Sequence, residues 1–184
     1  EIGTEEIPHT FVEPGCNNLK RAVEKLLKDE NITYSSIKTM GTPRRLTVMI
    51  EGLSPFKPEE KIEKKGPSIE SAYNPDGSLK PPGEGFFRSL QIAPKKLSEL
   101  PSPPVEVRGN YLFAEIVKPK IETIDLLEEK LAALILSIDF PKRMRWADLD
   151  ISFARPIRWV VAMFGSETLH FQLGPIYSSN ISMG

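Results

Sequence analysis

Apolar residues recur at Leu19, Val23, Leu26 and Leu27, while Lys20, Arg21, Glu24, Lys25 and Lys28 fill the positions between them. That spacing predicts an amphipathic helix. It should open at Glu13-Pro14-Gly15, because a proline is tolerated in a first turn, and close near Asn31. A second helix is predicted from Leu127, Leu131, Leu134, Ile135 and Ile138. Thr123 is placed to cap it, Asp125 sits at the positive end of its dipole, and Phe140-Pro141 stops it. Strand signals lie at residues 32–39 and 45–52, the second rich in β-branched side chains. Gly41-Thr42-Pro43 makes the turn between them. The first eight residues carry Ile2 and Ile7 and read as a terminal strand or extended arm. Residues 104–108 and 111–118 read as a hairpin turning at Gly109-Asn110. The apolar run 159–164 has the length of a buried strand, and 167–173 is a further strand joined to it through Gly165-Ser166.

Between residues 54 and 104 the pattern breaks down. Ten of the 17 prolines fall here, and proline ends helices and cannot donate in a central strand. Loops and short helices are expected, with a turn at Asn74-Pro75-Asp76-Gly77. A short helix over 83–91 would bury Phe86, Phe87 and Leu90, and one turn is expected near 94–100. The charge run 59–65 reads as a solvated face or a flexible loop. Strands and helices mix without regular βαβ alternation, so the expected class is α+β, a mainly antiparallel sheet with packed helices. The expected organisation is one domain over residues 1–184, with a Pro-rich, loop-dominated insertion at about 54–104.

Composition adds exclusions. With a formal net charge of −1 and a pI near 6.2, the chain is no dedicated, strongly basic nucleic-acid module, so contact with nucleic acid requires a local patch. The single cysteine, Cys16, precludes an internal disulfide and a cysteine-based metal site and fits a reducing compartment. No apolar run approaches the length of a membrane span. The absence of an initiator methionine and the ending Ser182-Met183-Gly184 read as a piece of a longer chain.

One stretch departs from this neutral background. Residues 140–159, FPKRMRWADLDISFARPIRW, carry Lys142, Arg143, Arg145, Arg155 and Arg158 against Asp148 and Asp150, a local charge of +3, and contain both tryptophans, Trp146 and Trp159. Arg44 and Arg45 follow the Gly-Thr-Pro turn. Arginine's planar fork suits phosphate or carboxylate, and tryptophan stacks on guanidinium or on a base. The bland alternative is that these arginines pair with Asp148, Asp150 and the acidic start of the chain and only hold the fold. Other chemistry is thin. His9 and His170 have no ligand-like spacing, and Cys16 has no assignable base. Gly83-Glu84-Gly85 lacks the third glycine and the preceding strand of a dinucleotide site. Glu5-Glu6 would point in opposite directions on an extended segment. No catalytic or metal-binding residue is assigned.

Five blocks carry a resemblance: EIGTEEIP at the start, TPRRL at 42–46, KKGP at 64–67, GEGFFRS at 83–89, and PKRMRWADLDISFARPIRWVVAMFG at 141–165. Together and in this order they resemble the β subunit of bacterial heterotetrameric glycyl-tRNA synthetase, in its N-terminal region. The resemblance implies a class II aminoacyl-tRNA synthetase that joins glycine to its tRNA with ATP and Mg in the cytoplasm. The catalytic core would lie on an α subunit, or on a fused α region, so this fragment would hold no cofactor itself. The implied partners are that α subunit and glycine tRNA, with no membrane and no DNA. The implied fold is similar to the B3/B4 module of the phenylalanyl-tRNA synthetase β subunit. The expected role is tRNA binding or subunit assembly through Arg44, Arg45, Lys142, Arg143, Arg145, Arg155 and Arg158. An editing hydrolase, as in other B3/B4 modules, and a purely structural scaffold are the alternatives.

Overall fold

The structure is a computed structural model that describes residues 1–146 and 151–183. Its elements are, in chain order, β1 (Ile2–Thr4), α1 (His9–Asp29), β2 (Ser36–Thr42), β3 (Arg45–Glu51), β4 (Phe56–Lys57), β5 (Glu60–Ser68), α2 (Ile69–Ala72) and α3 (Pro81–Ser89). There follow β6 (Val105–Arg108), β7 (Tyr111–Lys118), β8 (Ile121–Glu122), α4 (Thr123–Ser137), β9 (Met144–Arg145), β10 (Ser152–Phe153), β11 (Ile157–Val161), β12 (Met163–Phe164), β13 (Glu167–Thr168), β14 (Gln172–Leu173) and β15 (Ile176–Ser179). The mixed, mainly antiparallel α+β class is as expected. The chain separates into two compact units, Glu1–Pro58 with Ile121–Gly184, and Glu59–Lys120. The breaks in chain contact thus fall at 58/59 and 120/121, where the sequence suggested one domain with an insertion at about 54–104.

The first unit is built on a six-stranded sheet in the order β14-β15-β11-β1-β3-β2. All neighbours in it are antiparallel except β11 and β15. The three-residue β1 is interior, pairing Ile2 with Val160 on one side and Leu46 on the other. Helix α1 packs against β2 and β3 and contributes Leu19, Val23 and Leu27 to a core shared with Leu134 and Ile135 of α4, Phe140, Phe153 and Ile157. Each fully buried leucine contributes about 1.5–3 kcal/mol.

Helix α1 starts about one turn earlier than the sequence suggests and runs through Pro14. Pro14 has no N–H to reach back to Thr10. The extra turn is held because it packs Phe11 and Val12 on the core. Its C-terminus is a Schellman motif: Asn31 takes φ 55°, Ile32 N–H donates to the Leu27 carbonyl at 2.8 Å, and Asn31 N–H donates to Lys28 at 3.1 Å. Ile32 therefore belongs to the helix end, which delays the strand expected at 32–39 to Ser36. Thr123 is not the cap of α4. Glu122 holds that position, while Thr123 is fully buried and its hydroxyl donates to the Ser54 carbonyl at 2.7 Å. The buried stripe of α4 includes Leu126, which the sequence pattern omitted, and leaves Leu131 half-buried.

The second unit carries a three-stranded antiparallel sheet, β5-β7-β6. The loop-dominated expectation fails in its first half. The charged run forms the nine-residue β5, in which Ile62 pairs with Ile116 while Lys61, Glu63 and Lys65 point to solvent. Alternating charge on one face of a paired strand is as stable as a polar surface strand, and the opposite-sign neighbours Lys61–Glu115 at 3.3 Å and Arg108–Glu63 fall on it. The second half follows the sequence reading. Helix α3 buries Phe86 and Phe87 edge to face at 6.1 Å, a 3-10 turn covers Leu97–Glu99, and the β6–β7 hairpin turns at Gly109, φ 59°.

Candidate functional site

All seven cationic residues singled out by the sequence come from segments that meet at one end of the first unit. Residues Thr4 to Ile7 are held between two of these segments. Thr4 N–H donates to the Arg44 carbonyl at 2.9 Å, Ile7 N–H to Pro43 at 2.7 Å, and Glu5 N–H to Pro156 at 2.9 Å. The β2–β3 turn bearing Arg44 and Arg45 is thereby brought beside the Arg155-Pro156-Ile157-Arg158 segment. Arg155 in turn donates through Nε to the Glu6 carbonyl at 3.2 Å and through Nη1 to Met144 Sδ at 2.7 Å, which ties in the β9–β10 hairpin with Arg143 and Arg145.

The guanidinium groups are spent differently. Arg143 is a brace: its Nη2 donates to the carbonyls of Leu136, in the last turn of α4, at 2.7 Å and of Ser152 at 2.6 Å. A cation at the negative end of a helix dipole is favourable as well as hydrogen-bonded. Arg155 also spends its donors inside the chain. Arg45 is half-buried; its Nη2 donates to the Met183 carbonyl at 2.7 Å, its Nη1 lies 3.7 Å from Glu1, and its guanidinium stands 5.9 Å over the Trp159 ring. Arg158 makes a solvent-exposed pair with Glu5 at 3.6 Å, the kind worth less than about 1 kcal/mol. Arg145 is exposed and has partners of its own. Arg44 and Lys142 are exposed and have no carboxylate within ion-pair distance among the described residues. Asp148 and Asp150, the other expected partners, lie outside the described residues.

Glu1 is a hub that the sequence reading named only as part of the acidic start of the chain with which arginines could pair. Its Oε1 accepts from Trp159 Nε1 at 2.8 Å and from Ser182 Oγ at 2.6 Å, and Oε2 faces Arg45. Burial works against its ionisation, but the Ser182 and Trp159 hydrogen bonds and the Arg45 charge outweigh burial and hold its pKa below the usual carboxylate value. No sequence pattern could have found this group, since positions 1, 45, 159 and 182 meet only through the sheet order.

Beside this hub is a pocket of about 450 Å³ lined by Glu6, Thr42, Pro43, Arg44, Arg45, Trp159 and Met183. It combines two guanidiniums, one carboxylate, one hydroxyl and flat apolar walls. A second cavity, of about 420 Å³, lies among Leu19, Val23, Leu131, Val161 and their neighbours, with Glu1 the only ionisable residue in its lining. It is part of the apolar core and has little with which to orient a polar ligand.

In the second unit Lys95 Nζ lies 2.5 Å from Ser102 Oγ. An amine beside a hydroxyl is the start of a nucleophile–base pair. Here Ser102 is flanked by Pro101 and Pro103, which have no N–H, and its own N–H is used on Val105 at 2.9 Å. The local backbone therefore supplies no donor for an oxyanion, and the contact serves as a loop tether. His9 and His170 are exposed and distant in sequence. Among the described residues no group of three or more His, Cys, Asp or Glu is disposed to hold a metal ion, and no helix is long and apolar enough to cross a membrane.

Comparison with known proteins follows the same residues. The family model described as glycyl-tRNA synthetase beta subunit matches residues 1–184. The glycine–tRNA ligase of Chlamydia muridarum is 42% identical over 190 residues, covering 100% of this chain and 19% of that protein. The glycine–tRNA ligase beta subunit of Trichlorobacter lovleyi is 40% identical over 184 residues, covering 100% of this chain and 26% of that subunit. That of Desulfitobacterium hafniense is 38% identical over 185 residues, again with 26% of the subunit covered. The chain thus spans about a quarter or less of the length of these relatives.

Proposed function

The chain belongs to the glycyl-tRNA synthetase beta-subunit family, and on that premise we propose that it serves a cytoplasmic glycine–tRNA ligase by presenting the cationic end of its first unit to the tRNA backbone. The whole enzyme would join glycine to tRNA with ATP and Mg, working with an α subunit or a fused α region. This part would contribute affinity and orientation, not bond-making groups. The observation that carries the reading is the charge at that end. Among the described residues, seven cationic side chains belong to the segments that meet there, against Glu1, Glu5 and Glu6, in a chain of net charge −1, and Arg44 and Lys142 are exposed without described carboxylate partners. Phosphate contacts release counterions, so such residues would set the salt dependence of binding.

Arg44→Glu and Lys142→Glu in the full-length enzyme provide the test, read as tRNA affinity across a salt series. Each lost phosphate contact lowers the slope of log K against log salt by roughly 0.7–0.9. Unchanged affinity and slope in both variants, with melting preserved, would overturn the proposal. A scaffold role is the second reading. It draws on Arg143 and Arg155, whose donors go to carbonyl and sulfur atoms of the chain itself, and it predicts that their loss lowers stability without changing the salt slope.

A further inference from the structure

The pocket of about 450 Å³ beside Arg44 is concave and chemically mixed. Its exposed wall is Thr42, Pro43 and Arg44, Met183 is 53% exposed, and Trp159 forms a buried floor. Arg45 is fixed in place by the Met183 carbonyl and Glu1, so its charge is largely answered within the chain. Arg44 is the group left for an incoming anion. Glu6 also lines the pocket, and its backbone carbonyl is anchored by Arg155. A carboxylate repels a bare phosphate, so the pocket is poorly matched to an isolated anion. It is well matched to a ligand with an anionic end, a flat apolar body and N–H donors at the far edge.

We propose that this pocket takes one unpaired nucleotide of the bound RNA, with its phosphate on Arg44, its base against Pro43 and Met183, and the base's pairing edge donating to Glu6. Among the four bases guanine presents two N–H groups side by side, N1–H and N2–H, which a carboxylate's two oxygens accept together. Guanine is therefore the preferred occupant. Sequence-selective readout of RNA falls on such splayed-out bases, because the deep groove of an RNA duplex is closed to side chains. The inference rests on the tRNA-contact reading and adds to it a pocket and a base preference.

The test is ultraviolet cross-linking of glycine tRNA to the full-length enzyme, with adducts mapped by mass spectrometry, beside tRNA affinities of Arg44→Ala and Glu6→Gln. Both residues are exposed, and melting curves check that the variants fold. The expected result is a guanosine adduct on the peptides carrying residues 42–45, 159 or 183. Its yield should fall at least fivefold in Glu6→Gln, and tRNA affinity should fall severalfold in the same variant. Arg44→Ala should weaken tRNA binding about five- to tenfold. Adducts confined to the segments of Lys142 or Arg158, with Arg44→Ala binding normally, would refute the pocket and leave the tRNA-contact reading standing. A pocket adduct that is only uridine would refute the base preference. No adduct within residues 1–184, together with normal binding in all cationic variants, would sink both.

Discussion

Replacing Gly3 by alanine tests the packing beneath the pocket. A Cβ at Gly3 would lie 1.9 Å from Trp159 Cε2, 2.1 Å from Cδ2 and 2.4 Å from Cζ2, where ordinary carbon contacts are about 3.5–4.0 Å. The ring must therefore move by roughly 1.5 Å. The backbone cannot yield instead, because β1 is paired on both sides, to β11 and to β3. Trp159 is itself 6% exposed and its Nε1 donates to Glu1 at 2.8 Å. Overpacking of this kind costs about 1–3 kcal/mol, and losing a hydrogen bond to a carboxylate adds about 1.5–3 kcal/mol. Alanine's better strand propensity offsets about 0.5–1 kcal/mol, leaving about 1.5–5.5 kcal/mol. For a chain of this size that is a fall in Tm of roughly 3–22 °C, measurable by calorimetry or urea titration. Gly3→Ala combined with Trp159→Val should be much less destabilised than the sum of the single changes, since the methyl then has room. A Gly3→Ala protein within about 0.5 kcal/mol of the parent, or an additive double mutant, would show that the Gly3–Trp159 contact does not set the position of the ring.

Arg143→Ala should lower stability by about 1–2 kcal/mol through loss of the Leu136 and Ser152 bonds. Arg143→Lys should not fully restore it, because the lysine ammonium lies one bond nearer the backbone than Nη2, the atom that reaches both carbonyls; denaturant midpoints read both. Thr4 is fully buried and its Oγ1 has no hydrogen-bond partner, so Thr4→Val should be neutral or stabilising by up to about 1 kcal/mol, and a clear loss of stability would disprove that reading. Glu1 has a folded-state pKa below its unfolded value. Its stabilising contribution is therefore present above the unfolded carboxylate pKa and is lost as pH falls through the depressed folded one. In Glu1→Gln that acid-side loss should disappear from a Tm-against-pH series, and identical acid limbs in both proteins would contradict it.

Much of the fold was legible because local patterns and tertiary packing agree. The 3-4 repeat of Leu19, Val23 and Leu27 is the face that α1 buries, and the β-branched run over 45–51 is β3. Gly109 and Gly165 turn hairpins with positive φ. Legibility ended where distant packing overrode a local rule. Pro14 reads as a helix start, yet α1 runs through it because Phe11 and Val12 gain a core. The charged run at 59–65 reads as a solvated face or a flexible loop, and β7 decides between them by supplying a partner strand across it, with its charges on the exposed face. Thr123 reads as a cap, yet its hydroxyl has a buried carbonyl to satisfy.

The arginine-rich stretch shows the same division. Its residues, together with the four other blocks, carry the resemblance to the family, and its composition marks one cationic region in a neutral chain. Which guanidinium braces the fold and which faces solvent is absent from the residue string, because each choice depends on a partner far away in sequence. Arg143 meets the end of α4, Arg45 meets Glu1 and Met183, and Arg44 stands on a turn with no described carboxylate within ion-pair distance. A charge is fixed by its side chain, whereas its availability is fixed by whatever donors and acceptors the sheet order brings within hydrogen-bond reach.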